Sequence, residues 1–179
     1  MTILVLSPYY NFHPNFHPMS AAPDPFVVRI FAWPEAKDMA RPLREAVFVL
    51  EQGVPLEEEW DEWDEGSAHA IASGPDQQPI GTGRLLPASS PGTARFEPRI
   101  EARIGRMAVL KAWRGRGVGA ALLKALLDLA AARGVGAVVL HAQTSAVAFY
   151  RQSGFETEGG EFLEAGIPHV TMRLTLPRR

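Results

Sequence analysis

Between the runs ARIGRMAVL and AALLKALLDLAAARG stands RGRGVG, residues 114–119, in which Gly115, Gly117 and Gly119 alternate with Arg114, Arg116 and Val118. Glycine lets a main chain approach an anion closely, and a helix N-terminus adds partial positive charge. Arginine pairs with phosphate oxygens through its planar fork. The ordered spacing Arg114-x-x-Gly117-x-Gly119 suits a phosphate cradle, a loop whose N–H groups converge on one point, and a bare glycine-rich turn could equally be a plain tight connection before a helix. The competing reading is a nucleic-acid grip, which needs basic and aromatic residues repeated along a flexible segment. Here the basic stretch is short and pinned between two ordered runs, which disfavours that grip. Two other phosphate motifs fail outright. No Gly-Lys-Ser/Thr follows, and Gly117-x-Gly119-x-x leads to Leu122 where a dinucleotide fingerprint needs a third glycine.

The elements that must hold this loop are readable from periodicity. FVVRIFAW (26–33) is β-branched and aromatic, a first strand. Residues 34–50 place Met39, Leu43, Val47 and Leu50 at helical spacing, with Pro42 predicting a break. AHAIASG and QPIGTGRLLPA read as strands joined by a turn, and ARIGRMAVLKA as a fourth strand. Leu122, Leu123, Leu126, Leu127 and Ala130 make 117–133 an amphipathic helix ended by Gly134. VGAVVLHA is a doubly buried strand, SAVAFYRQSGF a short helix stopped by Gly154, and HVTMRLTL a strand that closes the sheet. The order predicts a single mixed α/β domain over 26–179, with 1–25 a disordered tail. That tail holds five of the 15 prolines and the repeat NFHPNFHP, and Met19 offers a second start. Proline after His13 and after His17 keeps both out of a helix, so no metal pair forms there.

Composition narrows the class. At 179 residues, 46% hydrophobic and a formal charge of −2, the chain suits one soluble domain with neither nucleic-acid nor membrane partner. With no cysteine, thiolate metal sites and cysteine nucleophiles are excluded, and a cytoplasmic location is expected. Residues 1–99 carry 7 basic and 14 acidic side chains, and residues 100–179 carry 11 and 6. An exposed sheet edge permits either a monomer or a homodimer.

Through these residues the chain resembles the GNAT superfamily of N-acetyltransferases. RGRGVG matches its Gln/Arg-x-x-Gly-x-Gly/Ala loop, and FYRQSGF its second motif. It is similar, more closely, to the small bacterial YjcF-like, ElaA-related subgroup through REAVFVLEQGVP, EEEWDEWDEGSAH, GTGRLL, IGRMAVL, HAQTSAVAFYRQSGF and EFLEAGIPHVTM. The resemblance implies a mostly antiparallel sheet with splayed fourth and fifth strands, and acetyl-CoA as cosubstrate, with no metal. It implies that Arg114 to Gly119 cradle the pyrophosphate. Backbone groups of Met107, Ala108 and Val109 would flank the pantetheine arm and acetyl carbonyl. Gln143 takes the place of a family asparagine that contacts the cofactor, and Tyr150 that of a tyrosine facing its sulfur.

The reaction so implied is acetyl transfer to a primary amine of a small molecule or protein by direct attack. The alternative is a module that binds acyl-CoA without turnover. Transfer needs a proton acceptor, because an alkylamine with a pKa near ~10.4 is mostly protonated at neutral pH. Glu51, Glu59, Asp61, His69, His141, Glu164 and His169 qualify by type, and Glu51 and His169 are preferred. EEEWDEWDEG (57–66) reads either as a solvated acidic loop or as an electronegative mouth for a cationic acceptor. In the second reading Trp60 or Trp63 offers a cation–π face.

Overall fold

A computed structural model of the chain describes residues 26–87 and 100–177. The proline-rich residues 1–25, with His13, His17 and Met19, lie outside the described residues. Seven strands form one sheet: β1 (Val27–Ala32), β2 (Ala68–Ser73), β3 (Pro79–Leu85), β4 (Glu101–Val109), β5 (Ala137–Gln143), β6 (Glu156–Glu164) and β7 (Ile167–Thr175). Their order is β1-β2-β3-β4-β5-β7-β6, and β4–β5 is the one parallel pair among the described strands. Helix α1 (Trp33–Arg44) follows β1, and α4 (Val118–Ala132) links β4 to β5.

Strand alternation sends neighbouring side chains to opposite faces, and β2 uses both. Ala68, Ala70 and Ala72 join the main core under α4, whereas Ile71 packs with Trp33, Ala36 and Ala40 of α1. Leu122, Leu123 and Leu126 of α4 are at most 1% exposed. Each such burial contributes roughly 1.5–3 kcal/mol, which fixes α4 and hence the loop before it.

Three features differ from the sequence reading. Pro42 does not break the first helix; α1 runs through it to Arg44 and continues as a π-helical segment, Glu45–Glu51. The acidic run folds into two single-turn helices, α2 (Leu56–Glu59) and α3 (Trp63–Gly66). Finally, β7 does not close the sheet, because β6 pairs along its outer edge. No apolar alternation announces β6, since eight of its nine residues are exposed. A register shift between Glu158 and Glu161 absorbs Gly159 and Gly160.

The parallel pair positions the site. β4 and β5 pair over Glu101–Ala137, Ala102–Val138 and Arg103–Val139, and then part. Beyond that point β4 stays with β3 as far as Val109, and β5 stays with β7 as far as Gln143. At the parting, β4 bulges. Thr82 faces Ala108 and Arg84 faces Gly105, so Gly83 is opposed by both Arg106 and Met107. Arg106 takes a left-handed φ of 52°. A Cβ on Gly83 would collide with the Met107 sulfur, so this glycine leaves Met107 its place on the sheet.

Candidate active site

The larger of two cavities at the parting encloses about 710 Å³ and is lined by Arg114, Gly115, Gly117, Val118 and Gly119 from the cradle, with Met107, Val109, Phe149 and Tyr150. Gly117 caps α4 at φ 83°, and Gly115 turns at φ 75°. A Cβ on either would meet no atom within 4 Å, so the space beside both is open. The first N–H groups of α4, from Val118 onward, have no intrahelical acceptor and carry the positive end of a 15-residue helix. Open backbone, unsatisfied donors and a fixed dipole suit a phosphate ester. Gly117→Val is therefore expected to strain the cap by about 1–3 kcal/mol and fill the approach. Titration calorimetry should show acetyl-CoA and free CoA weakened together, whereas dephosphorylated pantetheine derivatives change little.

Val109 presents its own peptide groups to this cavity. Leu110 N–H donates to the Ile80 carbonyl at 3.0 Å, which makes Val109–Gly81 a non-hydrogen-bonded pair of the antiparallel ladder. In such a pair both peptide groups point away from the partner strand. Those of Val109 thus face the side that β5 has left. Arg114 Nε donates to the Val109 carbonyl at 2.9 Å, leaving the N–H directed at the cleft. The same guanidinium grips Glu51 in a fork of 2.6 and 2.7 Å. That hydrogen bond holds the Glu51 carboxyl below its ordinary pKa. Glu51 is absent from the walls of both cavities. Arg116 stacks over Trp113 at 5.1 Å. Ala108, buried at 2% exposure, faces Thr82 in the ladder.

A second chamber of about 180 Å³ adjoins the first at the parted strands. It shares Gln52, Met107, Gln143, Ala146 and Tyr150 with the first, so the two meet there. The Tyr150 ring is held edge-on by Phe149 at 4.9 Å and Phe155 at 5.9 Å. Its hydroxyl makes no hydrogen bond among the described residues, and burial pushes its pKa up to about 12. Gln143 Nε2 donates to Gln52 Oε1 at 2.8 Å. Gln52 has no signal in the sequence beyond its place in LEQGVP; the π-helical segment delivers it to the junction.

The chamber's polar groups come from α2 (Glu59), β4 (Arg106), β5 (His141 and Gln143), the end of β6 (Glu164) and β7 (His169). His169 Nδ1 lies 2.8 Å from the Ile167 carbonyl. A carbonyl can only accept, so Nδ1 carries the proton and neutral His169 keeps Nε2 as its acceptor. His141 Nδ1 is 2.7 Å from Glu164 Oε2. Burial raises the Glu164 pKa, but the His141 hydrogen bond and neighbouring positive charge outweigh it and hold the group low.

Part of the acidic run turns inward: Glu59 and Asp64 are buried, while Glu57, Glu58, Glu62 and Glu65 stay exposed. Arg44, 1% exposed, donates to Glu59 Oε1 at 2.5 Å and to both Asp64 oxygens at 2.8 and 2.9 Å. Arg84 donates to Asp61 at 2.5 and 2.8 Å and to Asp64 at 2.7 Å. Trp60 stacks on Arg41 at 5.2 Å and on Arg44 at 4.9 Å, while Trp63 stays 53% exposed. The predicted electronegative mouth thus loses three of its seven carboxylates to internal arginines, and its Trp60 face is taken by the protein's own cations. His69 Nε2 bonds the Asp64 carbonyl at 2.9 Å, and burial lowers its pKa, which fits a structural histidine. Among the described residues no three His, Cys, Asp or Glu side chains converge as a metal site, and no helix is long and apolar enough to cross a membrane.

Two reactants can reach Tyr150 through two adjoining cavities, one across a phosphate cradle and one through a small polar chamber. That division is the one an acyltransferase working from an acyl-CoA requires. The family profile of the acetyltransferase (GNAT) domain matches residues 39–176, and the chain belongs to that family. It is YjcF-like: it is 40% identical over 131 residues to the uncharacterised N-acetyltransferase YjcF of Bacillus subtilis, across 73% of this chain and 86% of that one. Its fold is similar to an acyl-CoA N-acyltransferase from Pseudomonas aeruginosa, with TM-score 0.69, 29% identity and coverage of 83% and 99%. Escherichia coli ElaA follows at TM-score 0.68 and 25% identity, with coverage of 83% and 98%.

Proposed function

We propose that this acyltransferase moves an acetyl group from acetyl-CoA to a primary amine by direct attack. The observation that carries the reading is the meeting of the two cavities at Tyr150, Met107 and Gln143, beside a Val109 N–H freed by the parted strands. Arg114 to Gly119 hold the phosphates. The Val109 N–H, a preorganised donor, stabilises negative charge developing on the acetyl oxygen. Met107 lines the arm of the thioester, and Gln143, anchored by Gln52, closes the junction.

The amine enters through the smaller chamber and gives up its proton there. Of the two bases preferred from the sequence, His169 stands on the chamber wall with Nε2 as acceptor. Glu51 is engaged by Arg114, and its lowered pKa makes it the weaker base, so its role is to set the Arg114 fork beside the cradle. Tyr150 donates to the sulfur as the thiolate departs.

Release of free CoA from acetyl-CoA, followed across a panel of amines, tests the reading directly. Acetyl-CoA that binds but is never consumed with any amine would leave a binding module in its place. His169→Gln is expected to lower turnover about tenfold or more at saturating acetyl-CoA, with acetyl-CoA affinity unchanged. A variant with wild-type turnover where chemistry limits the rate would remove His169 from the proton path.

A further inference from the structure

The cation cluster beside the chamber is unequally satisfied. Arg44 and Arg84 hold Glu59, Asp61 and Asp64 at 2.5–2.9 Å. Arg106 receives what remains: contacts of 3.2–3.3 Å to the Glu58 and Glu59 carbonyls, to Asp61 Oδ2 and to Glu59 Oε1. Its Nη1 has no protein partner among the described residues. The bulge at φ 52° aims this side chain off the ladder, and it lines the smaller chamber one residue from Met107. Three guanidiniums and three carboxylates leave the cluster formally neutral, so an added anion meets no net opposing charge. Glu164 lines the same chamber from the β6–β7 side of the parting, and Arg106 lines it from β4.

We propose that Arg106 binds an anionic group of the acceptor, which is therefore a small amine that also carries an oxyanion such as a carboxylate. The proposal rests on the acyltransferase reading. Glu59 also lines the chamber beside Arg106, but its carboxylate is held at 2.5 Å by Arg44, so Arg106 offers its Nη1 to a ligand; with Glu164 lining the chamber from the β6–β7 side, this matches a dipolar acceptor whose amine lies toward Glu164, His169 and Tyr150. The guanidinium fork prefers planar or multidentate oxyanions, and a volume of about 180 Å³ suits an acceptor with a few heavy atoms beyond the amine.

The test titrates CoA-loaded and unloaded protein with β-alanine, 4-aminobutyrate, 2-aminoethyl phosphate and taurine, each against a neutral counterpart such as β-alaninamide, butylamine or ethanolamine. At least one anionic amine should bind tenfold or more tightly than its counterpart, and the carboxylate, phosphate and sulfonate arms identify the oxyanion. Arg106→Gln should erase that preference, and Arg106→Lys, which keeps the charge, should retain part of it. CoA affinity should stay within about twofold in both. Neutral amines binding as well as anionic ones would overturn the proposal, as would a preference that survives Arg106→Gln. So would a protein that binds CoA but none of the panel. If Arg106→Gln does not fold, the wild-type comparison decides alone. Failure to bind CoA would instead sink the acyltransferase reading, and titration of the unloaded protein would still decide the role of Arg106.

Discussion

Arg44→Met is expected to cost about 3–5 kcal/mol of folding stability, the scale for breaking a buried ion pair from one side. Methionine replaces much of the volume, so the loss is electrostatic more than steric. It strands Glu59 and Asp64, which are 2% and 3% exposed, with only Arg84 and Arg106 to compensate. It also removes the guanidinium between Trp33 and Trp60, at 5.8 and 4.9 Å from their rings. Set against a typical total of ~5–15 kcal/mol, such a loss leaves a fold that urea unfolds at much lower concentration. A change below about 1 kcal/mol would mean that the network is not what holds α1 to the acidic segment.

The pH dependence of that loss has a definite sign. In the wild type, burial pushes the Glu59 carboxyl above its ordinary pKa despite the neighbouring arginines. A group whose pKa is raised by folding costs stability as pH rises through the carboxylate range. Asp61 runs the other way. Burial raises it, but hydrogen bonds and charge from Arg84 prevail and lower it, so its contribution is lost as pH falls through its folded value. Without Arg44 the charged form of Glu59 loses its nearest counter-charge. The difference between Arg44→Met and wild type should therefore be larger at pH 7 than at pH 5, when urea melts are compared.

The sheet strands with apolar runs, the amphipathic α4 and the cradle were legible because each writes its cause locally. Leu122, Leu123 and Leu126 show their spacing, and Gly115 and Gly117 stand where φ is positive. The acidic segment was legible only as a charge run. Its neutralisation requires Arg44, Arg84 and Arg106, which lie on three different elements and up to 48 residues away along the chain. No local pattern encodes that convergence. For the same reason the preference for Glu51 as a base overlooked Arg114, 63 positions on, which claims its carboxylate. β6 was invisible because an edge strand exposed on both faces has no buried face to impose alternation. Gln52 shows the complementary case, a polar residue brought to the junction by a π-helical segment that its sequence does not advertise.

Tyr150→Phe is expected to lower turnover tenfold or more while leaving acetyl-CoA affinity and melting temperature near the wild-type values. The ring carries the packing, edge-on to Phe149 and Phe155, and phenylalanine keeps it. The hydroxyl carries none of the fold, since it has no hydrogen-bond partner among the described residues and opens onto the junction of the cavities. With its pKa pushed up to about 12, it stays protonated at any working pH. Full transfer of its proton to a thiolate of pKa near ~8.5 would be uphill by roughly 5 kcal/mol. The hydroxyl therefore acts by hydrogen bonding to charge that builds on sulfur in the transition state. An interaction made mainly there affects kcat more than ground-state binding. Rates measured at saturating acetyl-CoA with an accepted amine, alongside calorimetry and thermal melts, separate the roles. Unchanged turnover where chemistry limits the rate would make Tyr150 a packing residue. Parallel losses in affinity and melting temperature would do the same, because a damaged core, and not a missing donor, would then account for the slower reaction.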